Sequence, residues 1–135
     1  MSQPPPPTVW GTFQARDARA MIDFLVAVGF EPAVVYADET DPSVVQHAQL
    51  DWPEGGGVMF GSHKPDGEWT LEPGTAGFYV VSADPRAVHE KAVAAGAKIT
   101  REPNKTDYGS FEFGFADPEG NQWSVGTYPG EARKG

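Results

Sequence analysis

The chain has no cysteine. That excludes a disulfide, a thiolate metal site and a thiol nucleophile. Positive charge is also scarce: ten Lys and Arg stand against nineteen Asp and Glu, for a net charge of −9. A surface of that sign repels nucleic acid and anionic lipid, so neither is expected as a partner. It favours solubility and is compatible with a cationic ligand. No apolar run is long enough to cross a bilayer and no segment reads as a secretory signal, so a cytoplasmic location is the expectation. Histidine is rare, with His47, His63 and His89 the only imidazoles.

Glycine and proline are plentiful, at 16 and 13 residues. At 135 residues the chain is long enough for one domain that buries most of its surface. Asp117-Pro118-Glu119-Gly120-Asn121-Gln122-Trp123 reads as a tight turn between two strands, and Pro53-Glu54-Gly55 is a weaker copy of it. The two Pro-Glu-Gly triplets are 65 residues apart, near half the chain length. A strand-like stretch from Val9 leads into a helix ending at Gly29, and another from Gly77 leads into a helix ending at Gly96. One βαβββ unit is therefore written twice. The fold class that follows is α+β, with two βαβββ repeats forming a curved mixed sheet around a cavity. The expected organisation is a Pro-rich disordered tail over 1–8, one domain over 9–128 with modules at about 9–65 and 76–128, and a flexible tail over 129–135.

The first helix has Asp17 to cap it and Met21, Phe24, Leu25 and Val28 on one face at helical spacing. The second has Asp84 as its cap, Pro85 in the first turn, and Val88, Ala92 and Ala95 as the apolar face. Strands are predicted at Thr8–Ala15, Ala33–Ala37, Val44–Asp51, Gly57–Ser62, Ala76–Ser82, Lys98–Glu102, Ser110–Ala116 and Gln122–Thr127. Phe111, Phe113 and Phe115 alternate with Glu112 and Gly114, so one face of that strand packs under a helix. Two helices cover only one face of eight strands, which leaves the other face for a cavity or a partner.

Gln14-Ala15-Arg16-Asp17 running into Met21-Ile22-Asp23-Phe24-Leu25, the stretch Val93-Ala94-Ala95-Gly96-Ala97, and Asp117-Pro118-Glu119-Gly120-Asn121 resemble the vicinal oxygen chelate superfamily. That group includes glyoxalase I, extradiol dioxygenases and bleomycin-resistance proteins. Its metal-dependent members carry His, Glu or Gln at four positions that face the cavity. By motif these fall here on Trp10, Phe60, Phe78 and Ser124, while matching the two turns directly puts Met59 in place of Phe60. Three hydrophobic residues and a serine do not hold a divalent ion, which asks for nitrogen or oxygen donors. No metal, cofactor or catalytic residue is assigned.

The chain is similar in this respect to the metal-free bleomycin-resistance branch, whose members are dimers that bind antibiotics in grooves shared between chains. The resemblance implies a homodimer with a ligand crevice lined by Trp10, His47, Phe60, Phe78, Tyr108, Glu112 and Ser124. The implied function is drug or self-resistance by sequestering a planar aromatic, antibiotic-like molecule, and a cationic one gains further from the ring faces and from Glu112. His47 and Glu112 are 65 residues apart, which makes them a pseudo-symmetric pair: an acid/base couple, a salt bridge, or interface groups. The alternative is a metal-dependent lyase, isomerase or dioxygenase with a displaced site at His47, Gln49 and Glu112. A third is a partner-binding module that uses the fold only as a scaffold. Trp52 and Trp69 are expected on loops as clamps or lids, Trp123 in the core, His63 on a loop and His89 on the solvent face of the second helix.

Overall fold

A computed structural model describes residues 6–67 and 71–131. The outermost residues of the two tails expected to be flexible, and Trp69, lie outside those described. Ten elements follow the doubled order: β1 (Gly11–Ala15), α1 (Ala18–Val28), β2 (Glu31–Ala37), β3 (Val45–Asp51), β4 (Gly57–Ser62), β5 (Gly77–Val81), α2 (Pro85–Ala94), β6 (Lys98–Lys105), β7 (Phe111–Ala116) and β8 (Gln122–Gly126). Each repeat closes its own four-stranded sheet, in the order β1-β4-β3-β2 and β5-β8-β7-β6. The first and last strands of a repeat pair in parallel, as Phe13 with Phe60 and Phe78 with Trp123. The other pairings are antiparallel. Among the described residues no helix is long and apolar enough to cross a membrane.

The helices form where capping and periodicity place them. Asp17 accepts from the Ala20 N–H at 3.0 Å and Asp84 from the Ala87 N–H at 3.2 Å, each meeting a donor the first turn leaves open. Gly29, at φ 137°, stops α1, and the Phe30 N–H reaches back to the Leu25 carbonyl. α1 buries Met21, Phe24, Leu25 and Val28 as its spacing requires, together with Ala18 and Ile22. α2 buries Val88 and Ala92. His89 is not on the solvent face: its ring stands edge-on to Phe113 at 5.1 Å and its Nε2 is buried.

A file of aromatic rings joins the two repeats beneath the helices. Phe60 stacks on Phe13 at 4.6 Å, Phe13 meets Phe78 edge-on at 5.5 Å, and Phe78 stacks on Trp123 at 4.3 Å. Trp123 lies nearly parallel to Phe115 at 5.9 Å, and Phe24 of α1 reaches the same Phe115 at 6.0 Å. Gly11 makes the crossing possible, since a Cβ there would fall 2.7 Å from the Phe78 ring. Contacts of this geometry are worth roughly 0.5–1.5 kcal/mol each beyond the area they bury.

The Asp-Pro-Glu-Gly-Asn turn is a hydrogen-bonded knot. The buried Asp117 carboxylate accepts from the Glu119 and Asn121 N–H groups at 3.0 Å, and from Asn121 Nδ2 and Trp123 Nε1 at 2.9 Å. Asn121 Oδ1 in turn accepts from the Ala76 N–H at 3.0 Å. The glutamate of each Pro-Glu-Gly turn then reaches across to the other repeat. Glu119 accepts the Arg16 and Asp17 N–H groups at 2.6 and 2.8 Å, just ahead of α1. Glu54 accepts the Ala83 N–H at 3.2 and 3.1 Å, just ahead of α2. Trp52 is no loop clamp: it is buried at the joint, its ring 4.9 Å from Phe30 and its indole N–H donating to the Val81 carbonyl at 2.8 Å.

Candidate functional site

Strand alternation assigns every side chain to a face. In the first sheet Phe13, Ala48, Leu50, Val58 and Phe60 turn to the helices. Thr12, Gln14, His47, Gln49 and Met59 occupy the opposite, uncovered face. In the second sheet Phe113, Phe115, Trp123 and Val125 turn inward. The registers then put Tyr79, Glu112, Gly114 and Ser124 on its uncovered face, with Arg101 and Asn104 beside them on β6.

Glu112 is the polar centre of the second face. Its side chain is 5% exposed. Oε2 accepts the Tyr79 and Tyr108 hydroxyls, both at 2.7 Å, and Arg101 Nη2 lies 3.4 Å from Oε1. Burial pushes this carboxyl up, but the hydrogen bonds from Tyr79, Tyr108 and Ser110 and the charge of Arg101 outweigh it, so its pKa lies below the usual glutamate value. The Tyr79 hydroxyl is raised, chiefly by burial, and that of Tyr108 is raised chiefly by its bond to Glu112. Gly126 gives the cluster its room: a Cβ there would strike the Tyr79 hydroxyl and fall 2.5 Å from Glu112 Cγ. A cavity of about 710 Å³ opens over this face, bounded by Tyr79, Val81, Tyr108, Tyr128, Pro129 and Glu131.

The first face is softer. A cavity of about 380 Å³ there is lined by Thr12, Gln14, His47, Met59 and Lys64 among others. His63 Nδ1 lies 2.7 Å from Gln14 Oε1, and Lys64 donates to Gln46 Oε1 at 2.7 Å. The His47 ring lies over Tyr36, with centroids 6.3 Å apart. Trp10 precedes β1 on the same face and packs against Gly57, where a Cβ would sit 2.9 Å from the indole. A third cavity, of about 360 Å³, lies at the joint between the repeats against Phe30, Trp52, Phe78 and Trp123.

The seven residues singled out in the sequence therefore divide. Trp10 and His47 share the uncovered face of the first sheet. Glu112, Tyr108 and Ser124 share that of the second. Phe60 and Phe78 turn their rings into the aromatic file under the helices, although Phe60 also borders the cavity that His47 lines and Phe78 the one at the joint. Met59 takes the place expected for Phe60, at the position equivalent to Ser124. Of the three residues of the alternative metal site, His47 and Gln49 stand on the uncovered face of the first sheet and Glu112 on that of the second. Among the described residues no three His, Asp or Glu side chains gather. At the positions where metal-dependent relatives carry ligands, an indole, a thioether, a phenyl ring turned inward and a serine do not fit a divalent ion.

Two partners of Glu112 escaped the sequence, Tyr79 and Arg101, as did Tyr36 and Tyr128 at the two open faces. Tyr79 carried a signal: on the strand leading to each capping Asp, residues an odd number of places before it share the open face. Trp10 is seven places before Asp17 and Tyr79 five before Asp84. Arg101 had none, because β6 is irregular between Ile99 and Asn104 and alternation fails there.

The family model described as the Glyoxalase/Bleomycin resistance protein/Dioxygenase superfamily matches residues 8–125. None of the curated proteins matches the chain. Among solved structures, TioX from Micromonospora sp. ML1 superposes with a TM-score of 0.69 at 22% identity, over 87% of this chain and 97% of that one. A glyoxalase/bleomycin resistance protein from Streptomyces sp. CB03234 gives 0.65 at 20% identity, over 86% and 96%. A superfamily member from Sphaerobacter thermophilus DSM 20745 gives 0.62 at 21%, over 89% and 97%. At these identities the likeness is one of fold.

Proposed function

The chain belongs to the glyoxalase/bleomycin resistance protein/dioxygenase superfamily, and from that premise we propose that it is a metal-free small-molecule binding protein. It sequesters a planar aromatic, antibiotic-like ligand, and two copies act together. The observation that carries this is the pair of uncovered sheet faces. Each presents aromatic rings beside polar groups: Trp10, Tyr36 and His47 on one, Tyr79, Tyr108 and Glu112 on the other. A second copy laid against them encloses a crevice in which a flat ligand stacks on rings, with the buried charge of Glu112 behind the rings of Tyr79 and Tyr108. No bond need be made or broken; protection follows from protein concentration against the dissociation constant.

The test is fluorescence titration of the purified protein with planar antibiotic-class chromophores, alongside sedimentation equilibrium and elemental analysis. Saturable quenching, a dimer and substoichiometric metal are expected. One tightly held ion per chain, or a monomer with no saturable ligand, overturns the proposal. The first of these results would bring back a metal-dependent lyase, isomerase or dioxygenase.

A further inference from the structure

Three tyrosines surround the cavity over the second sheet, and each donates a hydrogen bond from its hydroxyl to a carboxylate. Tyr79 on β5 and Tyr108 on the β6–β7 turn donate to the same oxygen of Glu112 at 2.7 Å. Tyr128, just past β8, donates to Glu131 at 3.1 Å. The Tyr108 and Tyr128 rings meet at 75° with centroids 5.7 Å apart, so they form two walls of a corner. Tyr79 closes a third side, its hydroxyl accepting the Tyr128 N–H at 3.2 Å. Tyr79 and Tyr108 remain 42% and 58% exposed despite these bonds, so their faces stand open to a ligand.

We propose that this corner is a cage for an alkylammonium cation, and for an N-methylated one above a primary amine. A phenol whose proton leans toward an anion is richer in electrons, and its ring face attracts a cation more strongly. The Tyr108 and Tyr128 hydroxyls are raised first by their carboxylate bonds, which agrees with a local field that favours positive charge, while that of Tyr79 is raised first by burial. The preference for methylation comes from what the cage withholds. Glu112 Oε2 already accepts two hydroxyls and Arg101 stands at Oε1, so this carboxylate has little left for a hydrogen-bonding ammonium. A primary ammonium finds replacement for its lost hydration only at Glu131 on the exposed rim, whereas a trimethylammonium group is weakly hydrated and is satisfied by ring faces.

The assignment rests on the reading of the chain as a small-molecule binder, and names the cationic part of its ligand. The experiment is NMR titration of the full-length protein with phenyltrimethylammonium, choline, ethanolamine and 3,3-dimethylbutan-1-ol, the neutral isostere of choline. The two quaternary ions are expected to shift the Tyr79, Tyr108 and Tyr128 resonances saturably, at least about fivefold more tightly than ethanolamine or the isostere. Tyr108→Ala should weaken them about tenfold, with Tyr108→Phe falling between. Equal binding of choline and its isostere overturns the cage, as does an unchanged affinity in Tyr108→Ala. If planar chromophores bind while the quaternary ions do not, the cage falls and the binding function stands. If neither binds, both fall.

Discussion

Replacing Asp117 by alanine removes the acceptor at the centre of the second Pro-Glu-Gly turn. The magnitude follows from what is left behind. Asp117 is 5% exposed, Asn121 0% and Trp123 2%. Four donors lose their partner, and of these the Glu119 amide lies where water can approach. The Asn121 N–H, Asn121 Nδ2 and Trp123 Nε1 are enclosed, and each buried donor without an acceptor costs about 1–3 kcal/mol. The expected loss is therefore about 4 kcal/mol, a large share of the roughly 5–15 kcal/mol that holds a domain of this kind together. For a chain of this length that corresponds to a fall of about 12 °C in Tm. Urea unfolding followed by tryptophan fluorescence and circular dichroism measures it, provided the two probes coincide. Asp117→Asn should do nearly as badly, because its new NH₂ group faces one of these donors. The double variant Asp117→Ala with Trp123→Phe should be less unstable than the sum of its parts by about 1 kcal/mol or more, since the indole donor leaves with its acceptor. A loss below about 1 kcal/mol in Asp117→Ala, or strict additivity in the pair, would refute the reasoning.

Trp10→Ala should weaken a stacked planar ligand about tenfold in a fluorescence or calorimetric titration while leaving the far-ultraviolet spectrum unchanged, since the indole packs on a glycine and lies outside the core; an unchanged affinity would remove it from the site. Glu112 is held below its ordinary value of 4.5, so the stability it contributes is present above that pH and is lost as the pH falls through its lowered folded value. Glu112→Gln should therefore trail the parent protein in urea midpoint at pH 7 by more than at pH 3, and an equal gap at both would contradict this sign. Gly126→Ala should cost about 1–3 kcal/mol by crowding and should detach the Tyr79 hydroxyl from Glu112, visible as a fall in the tyrosine titration midpoint by ultraviolet difference spectroscopy.

The architecture was legible because two periodicities repeat at one offset. Asp17 with Met21-Phe24-Leu25-Val28, and Asp84 with Val88-Ala92, mark the helices by capping and by a stripe. The alternating phenylalanines of β7 mark the buried face of a sheet. The site was harder because a strand has a period of two, and a slip of one residue exchanges its faces. Phe78 stands six places before Asp84, whereas Trp10 stands seven before Asp17. Local motif matching treats them as equivalent; parity puts one in the core and the other in the open. Phe60 against Met59 is the same slip, and the Pro-Glu-Gly offset selects Met59. What no pattern conveyed is the convergence of Tyr79, Tyr108 and Arg101 on Glu112, which depends on the twist of β6 past β7 and on the space Gly126 leaves.

The crossed glutamates of the two turns make the joint between the repeats reciprocal. A single βαβββ unit folded alone would have no second helix for its turn glutamate to hold. Two identical units related by a two-fold axis would satisfy each other, each carboxylate resting on its neighbour's chain entry, which is the self-complementary logic of an isologous pair. Fusing such a pair end to end preserves both contacts and releases the two copies to diverge. The wear on that symmetry is visible: Glu119 still grips two amides, while Glu54 holds only one. The seam between the repeats is thus a pseudo-two-fold interface inside one chain, in which each repeat fixes the start of the other's helix and neither is complete alone.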